Sequence, residues 1–325
     1  MHRPVEVLAA GGTITMAGAS GGRVTPSLDA AALVAAIPRL GDVAELSART
    51  VRSLPGPHMG QDDALAVAQA AVAAAEAGHG VVVTHGTDTL EETAFLTDVL
   101  YGGQAPIVFT GAIRPASASG ADGPANLLDA VDIAGSAAGA GLGVVVVFAG
   151  RVHAARGVRK VDSTAAEPFG SPHSGPIGVV HEGRVMIDKF PLRRAPVVAT
   201  SLDGWVPIVP TWLGDDASLL RAALGTGPDG VVLGTLGAGH VSPAVLAEVR
   251  QVARRIPVVA TVRPERGAIL YETYGYEGSE GDLRDAGVLC AGALSPQAAR
   301  MKLLACLGAG LSHAETCHAF LPDDA

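Results

Sequence analysis

Two threonine-bearing turns, each directly after a short apolar run, hold the side chains best suited to chemistry. Thr13 follows the run at residues 5–10, and Thr87 and Asp88 follow the run at residues 80–84. Open α/β sheets bind their ligands at the carboxyl ends of parallel strands. Two hydroxyls at such ends, one with an adjacent carboxylate, predict nucleophilic chemistry on a small polar substrate.

Each of these residues also has an ordinary structural role open to it. The Thr13 hydroxyl could satisfy the amides of its own turn, although the two glycines before it would let backbone approach a substrate closely. Thr87 and Asp88 could simply cap a helix. The spacing of Thr89 and Glu92 is that of a capping box, which predicts a helix beginning around residue 88.

Apolar runs alternate with longer segments of helical length in the first half of the chain. Continuous Val-rich runs between amphipathic segments are typical of a parallel sheet that is covered by helices on both faces. We therefore expect an α/β fold. The predicted strands are 5–10, 80–84, 106–110 and 143–148, and the predicted helices are 61–77, 88–100 and 122–136.

A basic stretch, several prolines and short β-like pieces interrupt this alternation at residues 151–205. Beyond them it resumes, and Ser242-Pro243 and Ser295-Pro296 each look like an N-cap followed by proline at the first helical position. We predict an amino-terminal domain at 1–190, a linker at 191–207 and a carboxyl-terminal domain at 208–325.

Composition and charge argue against several classes of function. Apolar residues make up 48% of the 325, enough for sizeable cores, and 23 Lys and Arg against 32 Asp and Glu give a formal charge of −9 without a basic block. We therefore expect no nucleic-acid partner. No apolar stretch reaches the roughly 20 residues of a membrane helix, and no secretory segment precedes the first strand. We expect no membrane association.

The cysteines Cys290, Cys306 and Cys317 are odd in number and lack Cys-x-x-Cys spacing. Free thiols in a reducing compartment are favoured over metal ligands, so we expect a cytoplasmic protein without a bound metal. His85 has no second histidine spaced to share a metal with it. The glycines at 237–239 lack the lysine of a phosphate loop and a complete Gly-x-Gly-x-x-Gly.

Four motifs make the chain resemble the bacterial L-asparaginase family, the threonine amidohydrolases. They lie at 10–14, at 84–94, at 110–115 with 121–127, and at 292–300, and the resemblance covers nearly the whole length. The second motif is highly specific for this family, whereas Gly-Gly-Thr alone would be weak evidence for it. The resemblance implies a larger amino-terminal α/β domain with a parallel sheet, a smaller carboxyl-terminal α/β domain, and hydrolysis of L-asparagine to L-aspartate and ammonia.

The resemblance also implies roles for the residues of the two turns. Thr13 would be the nucleophile that forms a covalent acyl-enzyme. Thr87 would orient the attacking water or relay protons, and its backbone N–H could help to bind the oxyanion. Asp88 would receive the α-ammonium group of the substrate through a charge-assisted contact.

Lys160 lies in a basic stretch that by itself reads as a solvated loop. Its spacing to Phe169 is similar to that around the family's catalytic lysine, which implies that Lys160 is the base for a hydroxyl. The adjacent Arg159 is the less suitable candidate because a guanidinium does not deprotonate. Asp122 and Asn126 are expected to cap and order the helix that follows them.

Further residues are implied to bind the substrate. The backbone carbonyl of Ala112 would accept from the side-chain amide. Gly56 stands where relatives often place a serine for the α-carboxylate, so its backbone amide or His58 would have to supply that contact. Glu280 would reach the site of a neighbouring subunit and hold the substrate ammonium, or it is a surface carboxylate. His240 would replace an asparagine that borders this adjoining site in relatives, or it has only a structural role.

The chain departs from the family pattern in the mobile lid that follows the first motif. Residues 15–25 would form this lid, which in relatives usually carries a tyrosine that hydrogen-bonds the nucleophile, yet the first tyrosine here is Tyr101. The lid is rich in glycine instead, which fits mobility. Our hypothesis is that Tyr271, Tyr274 or Tyr276 of a neighbouring subunit supplies the missing phenol.

The resemblance further implies self-association as a homodimer or homotetramer, with each site between the amino-terminal domain of one subunit and the carboxyl-terminal domain of another. It implies no metal or organic cofactor.

Two alternative functions stay open. A dual glutaminase-asparaginase differs by one methylene in the substrate, worth only about 1–3 kcal/mol of discrimination. A weakly active amino-acid-binding protein is favoured by the missing lid tyrosine and by Gly56, and opposed by the four intact catalytic residues.

Overall fold

Apolar strands and amphipathic helices build two α/β units. The computed structural model describes residues 3–18 and 23–321. Contacts within the chain divide it into a first unit up to Pro196 and a second unit from Val197 onwards.

The first unit contains an eight-stranded sheet and two short two-stranded ribbons. The strands of this unit, in chain order, are β1 (Val5–Gly11), β2 (Met16–Ala17), β3 (Thr25–Pro26), β4 (Leu46–Leu54), β5 (Gly80–Thr84), β6 (Ile107–Thr110), β7 (Val144–Phe148), β8 (Arg151–Ala154), β9 (Arg159–Lys160), β10 (Phe169–Gly170), β11 (Gly178–His181) and β12 (Arg184–Ile187). The order in the large sheet is β12-β11-β8-β7-β6-β5-β1-β4, while β2 pairs with β3 and β9 with β10.

Five strands of the large sheet, from β4 to β7 in the sheet order, run parallel as predicted, and the remaining three pair antiparallel. The predicted parallel sheet is therefore confirmed for five strands, and the antiparallel strands extend it at one end. The reversal occurs at Ala149 and Gly150, which join β7 to β8 with φ values of 48° and 74°. A connection of two residues with positive φ closes a hairpin, whereas a parallel neighbour needs a long crossover.

Helices cover both faces of the sheet, which confirms that part of the prediction. Alternate residues of the central strands divide between two cores: Val7, Val82 and Val108 belong to one face, and Leu8 and Val83 to the other. The helices of this unit are α1 (Ala30–Ala35), α2 (Leu40–Val43), α3 (Gln61–Glu76), α4 (Leu90–Leu100) and α5 (Gly123–Gly135). The helix α5 contributes to the first core, and α3 and α4 to the second.

The start of α4 differs from its prediction in a way that concerns the candidate site. The helix begins at Leu90 with Thr89 in the N-cap position, but the Thr89 side chain makes no capping hydrogen bond. Its hydroxyl instead donates to the Gly56 carbonyl at 3.2 Å. The predicted capping box is therefore wrong, because a tertiary contact takes the hydroxyl that local spacing assigned to the cap.

The second unit is a smaller α/β unit with a four-stranded parallel sheet. Its elements are β13 (Ile208–Pro210), α6 (Ser218–Leu224), β14 (Val231–Thr235), α7 (Pro243–Val252), β15 (Val258–Val262), α8 (Glu280–Asp285), β16 (Leu289–Cys290), α9 (Pro296–Gly308) and α10 (His313–Phe320). Ser242 and Ser295 cap α7 and α9 with their side chains, and proline follows each, as predicted. Within the described residues, no helix has the length and apolar character needed to cross a membrane.

Candidate functional site

Three turns rich in glycine meet at the carboxyl ends of β1, β4 and β5. Gly12 has a φ of 84°, and a Cβ built on it would lie 2.5 Å from the Cα and N atoms of Gly86. A Cβ on Gly86 would lie 2.8 Å from the Cα of Gly56. Only residues without side chains allow backbones to approach this closely. The packing therefore brings the turns that carry Thr13 and Thr87 against each other.

Thr13 opens a short 3₁₀ turn at Thr13–Thr15, directly after the two glycines with positive φ. The hydroxyl that stabilises this turn belongs to Thr15, which is buried and donates to the Gly12 carbonyl at 2.9 Å. The turn is thus stabilised by a hydroxyl other than that of Thr13.

Lys160, Thr87 and Asp88 form a hydrogen-bonded cluster. The Lys160 Nζ atom donates to Thr87 Oγ1 at 2.9 Å and to Asp88 Oδ1 at 2.7 Å. Thr87 is buried, the Lys160 side chain is 19% exposed, and the Asp88 side chain is 54% exposed. Lys160 thus meets two predicted site residues that are more than 70 positions away from it in sequence, with the carboxylate still open to solvent.

Lys160 reaches this cluster from a strand and not from a solvated loop. It ends β9, where it pairs with Phe169 of β10 in an antiparallel ribbon. The Phe169 ring is buried and packs against Phe148 with 4.8 Å between ring centroids. The structure therefore excludes the solvated-loop interpretation, because the aromatic residue opposite Lys160 anchors the ribbon in the core.

Gly56 lies at the same edge, as part of the short 3₁₀ turn Gly56–His58. A Cβ on Gly56 would lie 3.3 Å from Asp88 Cβ, so a side chain here would press on that carboxylate. His58 is exposed, and its backbone N–H donates to Pro55 at 2.9 Å. Gly56 is thus in direct reach of the cluster.

Two side chains hold the loop that carries Ala112. One belongs to Asp122, which precedes α5, and the other to Asn126 within α5. Asp122 accepts from the backbone N–H groups of Ile113 at 3.0 Å and Arg114 at 2.8 Å. Asn126 donates to the Gly111 carbonyl at 3.1 Å. Asp122 does occupy the N-cap position, but its side chain makes no capping bond. It orders the preceding loop, so the predicted capping role is wrong for this side chain.

His85 supports the turn that carries Thr87 from the interior. Its ring is fully buried, and Nδ1 lies 2.9 Å from the Gly86 carbonyl, so Nδ1 carries the proton and donates. Burial lowers the pKa of His85 to about 4, against the opposing effect of this hydrogen bond. The imidazole is therefore neutral at ordinary pH. Its Nε2 atom is buried and has no hydrogen-bond partner within the described part of the chain.

Glu91 is a site-adjacent residue that sequence reasoning missed. It lies in the first turn of α4, and its Oε2 accepts a hydrogen bond from the backbone N–H of Lys160. Burial raises the pKa of Glu91, while that hydrogen bond and the charges of Arg159 and Lys160 lower it in part. Glu91 belongs to the second motif, but its partner is 69 positions away, so no local pattern could reveal the contact.

The second unit holds Glu280 and His240 close together. Glu280 Oε1 accepts from the backbone N–H groups of Thr273 at 2.9 Å and Tyr274 at 2.8 Å, and its Oε2 lies 3.3 Å from His240 Nε2. Burial alone would raise the pKa of Glu280, but the N–H groups and His240 outweigh burial and lower it. Glu280 is only 3% exposed, so the surface-carboxylate alternative is wrong.

Exposed tyrosines surround this pair. The rings of Tyr274 and Tyr276 meet the His240 ring edge-on, with centroid distances of 4.9 and 5.4 Å. Tyr271, Tyr274 and Tyr276 are each between 43% and 51% exposed, and the Tyr271 phenol forms a hydrogen bond with Cys290.

Part of the predicted lid can be described. Thr15 ends the 3₁₀ turn, and Met16–Ala17 pairs antiparallel with Thr25–Pro26 as β2 and β3. Residues 19–22, which include two of the three predicted lid glycines, lie outside the described residues. Among the residues that the structure describes, the three cysteines are free thiols, and no group of His, Cys, Asp or Glu side chains is arranged to hold a metal.

Comparison with known proteins gives the same family over both units. Residues 4–193 match the family described as "Asparaginase, N-terminal", and residues 205–320 match "Glutaminase/Asparaginase C-terminal domain". A "Probable L-asparaginase" from Deinococcus radiodurans is 35% identical over 315 residues, which cover 95% of this chain and 94% of that protein. A "Probable L-asparaginase periplasmic" from Haemophilus influenzae is 32% identical over 308 residues, which cover 92% and 87%.

The fold has a solved counterpart. The crystal structure of a probable cytoplasmic L-asparaginase from Campylobacter jejuni matches with a TM-score of 0.86 and 27% identity, over 98% of this chain and 99% of that one. The similarity therefore extends over the full set of elements, in addition to the motifs.

Proposed function

The chain belongs to the asparaginase family, and from that membership we infer that it is an amidohydrolase converting L-asparagine and water into L-aspartate and ammonia. We propose that Thr13 is the nucleophile and that Thr87, Asp88 and Lys160 complete the catalytic set. The observation that supports the last three roles is the cluster in which one lysine amine touches a buried hydroxyl and an exposed carboxylate, at 2.9 and 2.7 Å. The role of Thr13 is supported by the close approach of Gly12 to Gly86, which brings its turn against the turn of Thr87.

In the first step, the Thr13 oxygen forms a bond to the side-chain amide carbon of asparagine while the hydroxyl proton passes to a neighbouring base. The C–N bond then breaks, and the nitrogen leaves as ammonia with the proton that it needs. The product is an ester between Thr13 and the aspartyl group. The backbone N–H of Thr87 helps to bind the oxyanion that forms on the way.

In the second step, a water molecule attacks the ester carbon and gives up its proton. Thr87 orients this water, and Lys160, in contact with the Thr87 hydroxyl, accepts or relays the proton. The bond from Thr13 to carbon breaks, aspartate leaves, and Thr13 regains a proton. No net proton or electron is left over.

Substrate binding uses groups around the same edge. Asp88 gives one carboxylate oxygen to Lys160 and, being half-exposed, has room to bind the substrate ammonium with the other. The backbone amide of Gly56 contacts the α-carboxylate in place of the usual serine. The Ala112 carbonyl accepts from the amide that is cleaved.

Ammonia release from L-asparagine by the native chain and two pairs of variants tests these roles. Thr13→Ala should lose at least about 10³-fold in kcat, and acid-quenched Thr13→Ala should carry no acyl adduct, whereas the native chain should show one by intact mass. Lys160→Met should lose about 10²–10⁴-fold. Arg159→Met, which removes the adjacent cation from the same strand, is the matched control and should stay within a few-fold. Full turnover by Thr13→Ala would overturn the assignment, and binding without turnover by the native chain would identify an amino-acid-binding protein.

A dual glutaminase-asparaginase activity is the second candidate, supported by the description of the family that matches residues 205–320. The two substrates differ by one methylene, and a pocket discriminates that difference by about 1–3 kcal/mol. Parallel assays with L-glutamine decide between them. A kcat/KM ratio above roughly 10² in favour of asparagine would exclude dual activity.

We also propose self-association as a homodimer or homotetramer, in which Glu280 and His240 of one subunit serve the site of a neighbour. Their 3.3 Å separation, beside exposed tyrosines, supports a joint role. Mixing inactive Thr13→Ala chains with Glu280→Gln chains should restore activity, because one type of mixed site would be intact. Failure to restore it in a verified hetero-oligomer would contradict the shared site.

The free cysteines support a cytoplasmic location.

A further inference from the structure

The contact between Glu91 and Lys160 joins the helix behind the catalytic turn to the ribbon that carries the lysine. Glu91 is half-buried in the first turn of α4, three residues after Asp88 in the same motif. Its Oε2 accepts from the backbone N–H of Lys160, not from the side-chain amine. The side-chain amine is left free to contact Thr87 and Asp88.

We propose that Glu91 is a positioning residue for catalysis, which anchors the backbone of Lys160 so that its amine is held against Thr87 and Asp88. This inference rests on the proposed function, because it concerns the lysine assigned there as the base. Glu91 itself has no contact with the reacting atoms in this scheme.

The ribbon that carries Lys160 needs such an anchor. Only two residues on each strand pair, Lys160 with Phe169 and Arg159 with Gly170. A two-stranded ribbon is marginally stable on its own. Phe169 fixes one strand in the core through its contact with Phe148. Glu91 fixes the other, at the residue whose side chain performs the chemistry.

The hydrogen-bond pattern of the ribbon leaves the Lys160 N–H for this purpose. The Val161 N–H donates to the Pro168 carbonyl at 2.8 Å, within the ribbon. The N–H of Lys160 points to the other side, where Glu91 accepts it. A partly buried backbone N–H without an acceptor is costly, so loss of the carboxylate would let this strand move. A displacement of about 1 Å at a catalytic group can lower the rate about 10²-fold.

Charge adds to the same effect. The Glu91 carboxylate lies near two cations, Arg159 and Lys160, and both lower its pKa against the effect of burial. Burial outweighs these charges, so the pKa of Glu91 is raised overall, and the Lys160 N–H and the two cations offset part of the cost of ionisation. An ionised acceptor makes a stronger hydrogen bond than a neutral one.

Two substitutions separate positioning from general stability. Glu91→Leu removes the acceptor at similar size, and Glu91→Gln keeps an acceptor oxygen at the same reach. We expect kcat for L-asparagine to fall roughly 10–100-fold in Glu91→Leu with KM within about two-fold, and Glu91→Gln to recover most of that loss. Glu92→Leu, which changes the adjacent acid in the same helical turn, is the matched control and should keep native kcat.

A folded Glu91→Leu with native kcat overturns the proposal, as does an equal loss in folded Glu91→Gln and Glu91→Leu. If Glu91→Leu does not fold, Glu91→Ala, which also removes the acceptor, takes its place, and native kcat in a folded Glu91→Ala overturns the proposal. In a Lys160→Met background, Glu91→Leu should cost nothing further. Full activity of Lys160→Met would instead refute the role that the proposed function assigns to Lys160, and no ammonia release from L-asparagine by the native chain would refute the proposed function itself.

Discussion

His85 makes acid stability a direct test of the buried support behind the catalytic turn. Its pKa is lowered by burial from 6.5 to about 4 in the folded chain. In the unfolded chain the ring is solvated and keeps the ordinary value. Below pH 6.5 the unfolded chain therefore binds a proton that the folded chain does not, which favours unfolding.

The sign and size of the effect follow from this difference. The stability associated with neutral His85 is fully present above pH 6.5, falls by about 1.4 kcal/mol per pH unit below it, and is exhausted near pH 4. The whole window is worth about 3 kcal/mol. His85→Asn removes the titration and keeps a donor for the Gly86 carbonyl, at the cost of a small cavity that does not depend on pH.

The assay is urea unfolding of the native chain and His85→Asn at several pH values between 4 and 7.5. The free energy of unfolding of the native chain should fall by about 3 kcal/mol more than that of the variant across this range. His173→Asn, which changes an exposed histidine, is the control and should parallel the native chain. Parallel curves for native and His85→Asn would refute the argument that this ring is buried and neutral.

Three further predictions concern the frame of the site. Asp129 has its pKa raised from 3.8 to about 6, by burial and then by Asp132, so its ionised form destabilises the fold above pH 6. Asp129→Asn should raise the free energy of unfolding by about 1 kcal/mol at pH 7.5, after discounting for partial exposure, and by much less at pH 4; urea unfolding at both values checks this. Gly12→Ala places a Cβ 2.5 Å from Gly86 at a φ of 84°, so it should lose roughly 3 kcal/mol of stability and most of kcat, and unchanged thermal unfolding would contradict it. Thr89→Val removes the donor to the Gly56 carbonyl and should cost about 1 kcal/mol and raise KM several-fold in steady-state ammonia assays.

Much of the fold could be predicted because continuous apolar runs form the central strands. The predicted strand at 80–84 is β5 as observed, and the predicted helix at 61–77 is α3 within one residue. Strand β4 was missed because it is a half-exposed edge strand, so polar residues such as Arg49 and Arg52 break any apolar run. Edge strands bury one face at most, and their sequence signal is correspondingly weak.

The candidate site likewise combines residues that the sequence predicted with contacts that it did not predict. Thr13, Thr87 and Asp88 could be singled out because hydroxyls at the ends of apolar runs are visible in the sequence, and Lys160 could be proposed from resemblance. The contact that joins Lys160 to the other two depends on where a two-residue ribbon lies. No periodicity encodes that position.

Local sterics and side-chain polarity made three features predictable from the chain alone: the residue types at the turns, the glycines that let those turns approach, and the hydrophobic periods of the strands and helices. The contact of Thr89 with Gly56 in place of its own helix, and the hold of Glu91 on the backbone of Lys160, were visible only in the folded structure. One hydroxyl can donate to several acceptors, and one carboxylate can accept from several donors, with similar strength. Packing of distant elements selects among them.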